Sequence, residues 1–277
     1  MAYQTLTLSV ADHIARVTLS RPDALNTMNR VFWGEMVAAF NEVAGEPEVR
    51  CVVIDSQGRH FTAGLDLNEF GGDLMSQDSE PARRADQLRR MIGRMQETFS
   101  VIDRCRLPVI AAIQGGCIGG GMDLVSACDI RLCSSDAFFT VQEINIAITA
   151  DVGTLQRLPY LLPQGVVREL AYTGRRMPAD EAFQRGLVNR SYDSHEALHN
   201  GVMELAAEIA GKSPLALVGT KEMLNYARDH TVTDGLNYVA TWNAAMLSGA
   251  DLMEAFTARQ QKRDPAYGDL LADRDVG

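Results

Sequence analysis

Hydrophobic and polar residues alternate at the start of the chain, and this pattern predicts a β-hairpin. One alternating run covers residues 6–10 and a second covers residues 14–19. Ala11 and Asp12 stand between the two runs, where a short turn would reverse the chain. Pro22 then ends the second strand, because proline cannot donate to a sheet ladder.

After residue 22, the spacing of apolar residues predicts helices that alternate with short buried strands. Asn29 can cap a helix that extends to about Val43, where apolar residues recur every three or four positions. Apolar runs at Cys51–Asp55, Val109–Ile113 and Asp129–Leu132 predict three further strands. Strands that alternate with helices indicate crossover units and therefore an α/β fold.

The last third of the chain has mainly helical spacing. Before it, a polar segment from Asp73 to Arg84 predicts a mobile loop that leads to a long helix ending near Asp103. Beyond Pro178 we expect helices at Ala179–Arg185, His195–Ile209, Pro214–Arg228 and Thr233–Ser248. We therefore divide the chain into an α/β core, residues 1–200, and a helical C-terminal region, residues 201–277.

Composition narrows the class of protein. The chain has 277 residues, of which 46% are apolar and 22% charged, as in ordinary globular proteins. Its net charge of −10 argues against nucleic acid as a partner. The sequence contains no apolar run long enough to predict a membrane span, and the N-terminus does not resemble a signal peptide. The five cysteines form no C-x-x-C pair and predict free thiols, so a bacterial-type cytoplasmic enzyme is expected.

Candidate chemistry is concentrated between residues 114 and 159. A glycine cluster opens an apolar helix, and the carboxylates Asp123, Glu143 and Asp151 follow it. Backbone N–H groups at such a turn can hold an oxyanion, and nearby carboxylates can move protons on carbon. Each acid also has a purely structural reading, as a helix-dipole partner, a solvated rim residue or a helix cap. Together they indicate chemistry beside a carbonyl, with neither a metal nor a covalent nucleophile.

Five separate segments resemble the crotonase, or enoyl-CoA hydratase/isomerase, superfamily. They are SRPDALNTMN at 20–29, FTAGLDL at 61–67, GGCIGGGMDLVSACDIRLC at 115–133, TGRRMPADEAFQRGLVNR at 173–190 and EAFTARQQKRDPAY at 254–267. The resemblance implies a ββα spiral core with a C-terminal helical trimerisation region. It also implies an acyl-CoA thioester substrate and a homotrimer or homohexamer, with no separate cofactor because the substrate carries coenzyme A.

The same resemblance assigns substrate-contacting positions. The backbone N–H groups of Leu65 and Gly120 correspond to the oxyanion hole that would polarise the thioester carbonyl. Further positions implied to bind substrate are Ala24, Leu25, Ala63, Gly64, Asp66, Leu67 and Gly121, with the first two at the coenzyme A nucleotide site. Lys262 and Arg263 are either contacts for the coenzyme A phosphates or a solvated basic pair.

The third carboxylate separates two activities within the superfamily. Hydratases usually carry a glutamate at the position of Asp123 and a small residue at that of Asp151. The run DVGTLQRLP at 151–159 resembles the Δ3,5-Δ2,4-dienoyl-CoA isomerases instead. This implies that Glu143 and Asp151 move a proton between C2 and C6 in unsaturated fatty acid oxidation, with Asp123 auxiliary. The alternative is an enoyl-CoA hydratase that uses Asp123 and Glu143.

Two other functions are alternatives to an enzyme that acts on acyl-CoA: a zinc hydrolase and a noncatalytic binding protein. Residues 195–199 fit the H-E-x-x-H pattern of zinc hydrolases, but a third ligand is not evident and Ser194 marks a helix start. We therefore predict no metal site. The other possibility is a noncatalytic protein that binds CoA esters with the same fold.

Overall fold

The computed structural model describes residues 3–70 and 80–272, and two β-sheets organise it. In chain order the strands are β1 Leu6–Ala11, β2 Ile14–Leu19, β3 Cys51–Ser56, β4 Val109–Ile113, β5 Gly116–Ile118, β6 Ile130–Ser134, β7 Phe138–Thr140, β8 Met177–Pro178 and β9 Arg190–Tyr192. The larger sheet has the order β1-β2-β3-β4-β6-β9, and the smaller sheet has the order β5-β7-β8.

The first two strands form the expected hairpin, and the rest of the large sheet is parallel. β1 pairs antiparallel with β2, with Leu6 opposite Leu19, and Asp12 and His13 turn the chain with φ of 50° and 64°. Every later neighbour in this sheet is parallel. β4 is buried along its whole length, because parallel strands have both faces covered. The α/β fold predicted from the sequence is confirmed.

Helices cover both faces of the large sheet. They span Arg30–Gly45, Pro81–Arg104, Gly120–Ser126, Thr154–Arg157, Gln164–Thr173, Ala179–Arg185, His195–Ala210, Pro214–Tyr226, Val232–Met246 and Gly249–Gln261. The Asn29 side chain accepts the Phe32 N–H at 3.0 Å, so the predicted cap is present. Residues 73–79 of the predicted mobile loop lie outside the described residues. Its last part is instead helical, because the Glu80 side chain accepts the Ala82 and Arg83 N–H groups and begins helix Pro81–Arg104 there.

Two hydrophobic clusters hold these layers together. The larger one packs helix Arg30–Gly45 and helix Pro81–Arg104 on one face of the sheet. The smaller one lies on the other face, where helix His195–Ala210 sets Leu198 and Val202 against β3 and β4. This helix crosses residue 200, so the proposed division between core and C-terminal region falls inside one element. All five cysteines are buried and free.

Helix Pro214–Tyr226 is tied to the sheet by a buried cation. The Lys221 ammonium donates to the Asp129 carboxylate at 2.7 Å and to the Leu107 carbonyl at 2.9 Å. Only 6% of the Lys221 side chain is exposed. Among the helices that the structure describes, none is long and apolar enough to cross a membrane.

Candidate active site

A cavity of about 820 Å³ lies between the small sheet, helix Gly120–Ser126 and helix Pro81–Arg104. Its apolar wall includes Trp33, Phe70, Met91 and Met95, and the three predicted acids also line it. A concave, largely apolar space with a few polar groups is typical of a small-molecule site. The cavity is therefore the candidate site for the predicted chemistry.

Two glycine turns meet at one edge of this cavity. Gly64 has a φ of +84°, and a Cβ built on it would lie 2.6 Å from the Ile118 carbonyl oxygen and 3.3 Å from the Gly120 nitrogen. A β-bridge between Thr62 and Cys117 joins the two segments just before the turns. Only glycine permits this backbone conformation without strain and such close packing. The turns bring the peptide groups that follow them side by side.

The Leu65 and Gly120 backbone N–H groups are free to bind a ligand. Within residues 3–70 and 80–272, neither donates to a protein acceptor. Both residues line the cavity. Gly119, which precedes the helix, donates its own N–H to the Thr140 carbonyl at 3.0 Å and so fixes the turn on β7. Two unpaired donors at one edge of a cavity are the arrangement that an oxyanion hole requires.

Asp123 lies in the first turn of helix Gly120–Ser126 and is completely buried. Its Oδ1 accepts the Thr154 N–H at 2.6 Å, whereas its Oδ2 has no partner in the described chain. Burial raises the pKa of Asp123 to about 6, and the nearby charge of Asp151 adds to this. The Thr154 contact acts in the opposite direction, because a hydrogen bond to the charged form favours ionisation.

Glu143 begins a 3-10 turn directly after β7 and points toward the glycine turn. Its Oε1 lies 3.4 Å from the position that a Cβ on Gly119 would occupy, and its Oε2 is buried without a partner in the described chain. Burial, followed by the charge of Asp123, raises the pKa of Glu143 to about 7. The group can therefore exchange a proton near neutral pH.

Asp151 completes the set of acids. It is half-buried at the cavity, and its backbone carbonyl accepts the Gln96 Nε2 at 2.7 Å from helix Pro81–Arg104. Burial raises the pKa of its carboxylate. The charge of Asp151 also raises the pKa of Glu143, so these two carboxylates interact. The structure thus brings all three predicted acids to one cavity with the two N–H donors.

Four of the remaining predicted positions lie at the cavity or beside it. Ala63 and Leu67 line the wall. The Leu25 carbonyl accepts the Ala63 N–H at 3.0 Å, and Leu25 is in the left-handed region with 46% of its surface exposed. Ala24 ends the 3-10 turn Pro22–Ala24 just before it. This segment therefore supports the wall beneath the first glycine turn.

Two predicted positions have partners inside the protein. Asp66 accepts from the Thr27 hydroxyl at 3.0 Å and from Arg21 at 3.4 Å, which holds the segment after the first turn in place. A Cβ on Gly121 would lie 2.7 Å from a Thr62 methyl group, so Gly121 permits close packing of the helix. Their contacts in the described chain are structural, and their contact with substrate stays a prediction.

Three residues that contribute to the site were not found by sequence reasoning. Thr154 holds Asp123, Gln96 holds the Asp151 carbonyl, and His60 accepts the Gly116 N–H at 2.9 Å through Nδ1. Burial lowers the pKa of His60, which favours the neutral ring that this contact needs. The contacts join residues 31, 55 and 56 positions apart, and no periodic signal encodes such pairs.

The H-E-x-x-H segment lies apart from this cavity. Ser194 caps the helix as expected, and His195 Nε2 lies 3.0 Å from Asp136 Oδ2 on the surface. No group of three or more metal-ligating side chains occurs in residues 3–70 and 80–272. Arg263 is paired with Glu254 at 2.9 Å, so one of the two candidate phosphate contacts already has a carboxylate partner.

Comparison with known proteins gives a consistent result along the chain. The family described as enoyl-CoA hydratase/isomerase matches residues 10–270. The human mitochondrial Delta(3,5)-Delta(2,4)-dienoyl-CoA isomerase is 48% identical over 95% of this chain and 81% of its own. The peroxisomal protein of the same name from Arabidopsis thaliana is 43% identical over 97% of this chain and 99% of its own.

These relatives contradict the location expected from the sequence. A bacterial-type cytoplasmic enzyme was predicted, whereas the names of the similar isomerases place them in mitochondria or peroxisomes. The prediction was wrong because it relied on finding no terminal targeting signal and on free thiols, and neither observation identifies a compartment.

Solved structures agree with the sequence comparison. An enoyl-CoA hydratase from Bacillus anthracis superposes with a TM-score of 0.87 at 30% identity, covering 95% of this chain and 99% of its own. DspI from Pseudomonas aeruginosa superposes with a TM-score of 0.86 at 29% identity, covering 97% and 98%. The predicted crotonase-type fold is therefore confirmed. A family match over almost the whole chain and a shared fold make this protein a member of the enoyl-CoA hydratase/isomerase family.

Proposed function

We propose that this chain isomerises 3,5-dienoyl-CoA to 2,4-dienoyl-CoA. The observation that carries the proposal is the Asp151 carboxylate, which shares a cavity with Glu143 and interacts with it through charge. The relatives at 48% and 43% identity have this activity in their names. Coenzyme A enters as part of the substrate, so the reaction needs no separate cofactor.

The two free N–H groups would activate the thioester. When the Leu65 and Gly120 donors bind the carbonyl oxygen, they stabilise the negative charge that develops as the C2 proton leaves. Removal of one such donor typically costs about 2.7–4 kcal/mol of transition-state stabilisation. The apolar wall around Trp33 and Phe70 keeps water away and strengthens these hydrogen bonds.

The carboxylate pair then moves one proton across the conjugated chain. One carboxylate takes a proton from C2, and the electrons form C2=C3 while C3=C4 becomes C4=C5. The C5=C6 electrons then form a new C6–H bond with the proton that the other, protonated acid donates. The pair therefore starts with a single proton, ends with the same number and returns to its first state by exchange with solvent. A Glu143 pKa of about 7 suits this single-proton state near neutrality.

An enoyl-CoA hydratase is the weaker alternative. Hydration of one double bond needs two acids around one water, and Asp123 with Glu143 could supply them. That reaction leaves Asp151 without a role. Complete burial of Asp123 also argues for an indirect part in catalysis rather than contact with a reacting water.

Purified protein should be assayed in deuterated water with 3,5-dienoyl-CoA and, separately, with 2-enoyl-CoA. We expect the conjugated 2,4-dienoyl thioester to appear in the ultraviolet spectrum, with newly introduced deuterium at C6. Faster hydration of 2-enoyl-CoA than isomerisation would favour the hydratase. Tight binding of both esters without turnover would indicate the noncatalytic protein.

We also infer that the chain assembles as a homotrimer or homohexamer. Large apolar side chains on the C-terminal helices are exposed, including Val232 at 79%, Leu236 at 64% and Met253 at 63%. Patches of this kind usually mark a protein interface. Sedimentation equilibrium should give three or six times the mass of one chain, and a stable monomer would contradict the inference.

A further inference from the structure

Thr154 links the turn that carries Asp151 to the helix that carries Asp123. Its N–H donates to Asp123 Oδ1 at 2.6 Å, and both residues are completely buried. Thr154 also begins helix Thr154–Arg157, directly after Gly153 with its φ of 139°. Because Asp151 lies just three residues earlier, this contact connects the turn that carries Asp151 to the glycine helix.

The Thr154 hydroxyl and Asp123 Oδ2 are two further buried polar atoms of this residue pair. In the described chain neither atom has a regular hydrogen-bond partner, and both are shielded from solvent. The hydroxyl nevertheless lies near enough to the carboxylate to act with the N–H in lowering the pKa of Asp123. The Thr154 hydroxyl can rotate its proton toward the Asp123 carboxylate at little cost.

Besides the three acids, Arg176 lines the cavity and Arg157 acts on Asp123. Asp123 is affected by Asp151, which raises its pKa, and by Arg157, which lowers it. Arg157 is shared with Asp103 on helix Pro81–Arg104 at 3.4 Å. Glu143 is affected by Asp123 and Asp151, and both raise its pKa. The ionisation of Asp123 therefore bears directly on the proton held by Glu143.

We propose that Thr154 is a positioning residue for the isomerase reaction: its N–H and hydroxyl keep the buried Asp123 carboxylate anionic, and that anion keeps Glu143 a proton carrier at neutral pH. The inference rests on the proposed function. Asp123 then contributes through its charge and does not itself transfer a proton. Thr154 contributes without touching the substrate.

The test is the pH dependence of kcat/KM for a series of Thr154 variants with 3,5-dienoyl-CoA. Thr154→Val and Thr154→Ala remove the hydroxyl, whereas Thr154→Ser retains it. Without the hydroxyl, Asp123 takes up a proton more readily and repels the Glu143 charge less, so Glu143 loses its proton at lower pH. We expect the basic limb to move down by about 0.5 pH unit in the valine and alanine variants. The serine variant should keep the wild-type limb.

A second variant separates charge from packing. Asp123→Asn should move the basic limb in the same direction, and Thr154→Val should add nothing in that background. A loss of rate that is equal at every pH, or additive shifts, would overturn the proposal in favour of a purely structural threonine. If the valine and alanine variants of Thr154 both fail to fold, an unmoved basic limb in Asp123→Asn overturns it.

Failure of the proposed function can be recognised separately. If the wild type does not turn over 3,5-dienoyl-CoA but hydrates 2-enoyl-CoA, the same variants are compared on hydration. The isomerase proposal is then wrong, while an unmoved basic limb in the valine and alanine variants overturns the Thr154 inference. Circular dichroism of each variant confirms that the fold is retained.

Discussion

At the scale of single residues, the three carboxylates differ in what surrounds them. Asp123 is completely buried and held by a backbone donor. Glu143 reaches the glycine turn and has one unpartnered oxygen in the described chain. Asp151 is half-buried, and burial raises its pKa. Three acids of similar chemistry can therefore have three different roles, because environment sets their protonation.

Asp151→Asn should abolish isomerisation while leaving the fold and CoA-ester binding intact. The substitution keeps the shape of the side chain but removes one half of the proton-transfer pair, for which general acid-base catalysis contributes about 10²–10⁴-fold. Turnover of 3,5-dienoyl-CoA is measured beside the exposed control Asp193→Asn. More than about a tenth of wild-type turnover in the Asp151 variant would remove the basis for the isomerase assignment.

Glu143→Gln should lower turnover to a similar degree, and the double variant should be little worse than either single variant. Both residues serve one proton path, so loss of either interrupts the same step. Steady-state kinetics of the two single variants and the double variant measure the coupling. Losses that multiply would indicate separate roles.

The pH dependence of kcat/KM should be bell-shaped, with its basic limb near pH 7. The pair works with one proton, which is lost as pH rises through the Glu143 pKa of about 7. At low pH a second proton enters the pair and removes the base. Asp151→Asn removes one of the two titrations, so any residual activity should follow a profile with one limb. A flat profile from pH 5 to pH 9 would contradict a carboxylate mechanism.

At the scale of elements, the site depends on two turns that approach each other so closely that only glycine fits at them. Gly64→Ala should lower kcat by about 10²-fold or more, because a Cβ there would displace Ile118 and with it the Gly120 donor. Gly165→Ala is the matched control, since a Cβ there meets nothing within 4 Å. Rates are compared after thermal unfolding has shown that both variants fold. Wild-type turnover in a folded Gly64→Ala would argue against the oxyanion assignment.

The sequence predicted the long elements better than the short ones. The hairpin, β3, β4 and the four helices predicted after residue 178 agree with the structure within a few residues, because their apolar periodicity extends over several turns or pleats. Helices Gln164–Thr173 and Gly249–Gln261 were not predicted. β5, β8 and β9 were not predicted, since two or three residues are too few to show a period. β5 and β8 nevertheless belong to the small sheet that supports the cavity.

The sequence predicted the acids and glycines of the candidate site, but it did not predict the groups that hold them in place. Asp123, Glu143 and Asp151 stand out because carboxylates are unusual in apolar surroundings. Thr154 and His60 do not stand out, as an isolated threonine or histidine has many ordinary roles. Their contacts depend on how distant segments pack, and one sequence without the fold does not contain that information.

At the scale of the whole molecule, the C-terminal region is joined to the sheet by the Lys221 ion pair. Lys221→Met should lower the free energy of unfolding by about 2–3 kcal/mol, because the Leu107 carbonyl and the Asp129 carboxylate lose their shared donor. The cost is below that of a fully buried pair, since 29% of the Asp129 side chain is exposed.

Urea unfolding of Lys221→Met should be compared with the exposed control Lys212→Met. Asp129→Asn, introduced into Lys221→Met, should recover part of the loss because it removes the unpaired charge. Equal stability of the two lysine variants would mean that the pair does not join the regions energetically.

The N–H groups of Leu65 and Gly120 have a consequence for how this protein can evolve. A point mutation replaces a side chain and leaves the peptide group in place, except when it introduces proline. Apart from changes at the glycines that shape the two turns, activation of the thioester is therefore shielded from most side-chain substitutions, whereas each acid can be replaced by a single codon change. A lineage can thus exchange one reaction for another at Asp151 and inherit the step that makes either reaction possible.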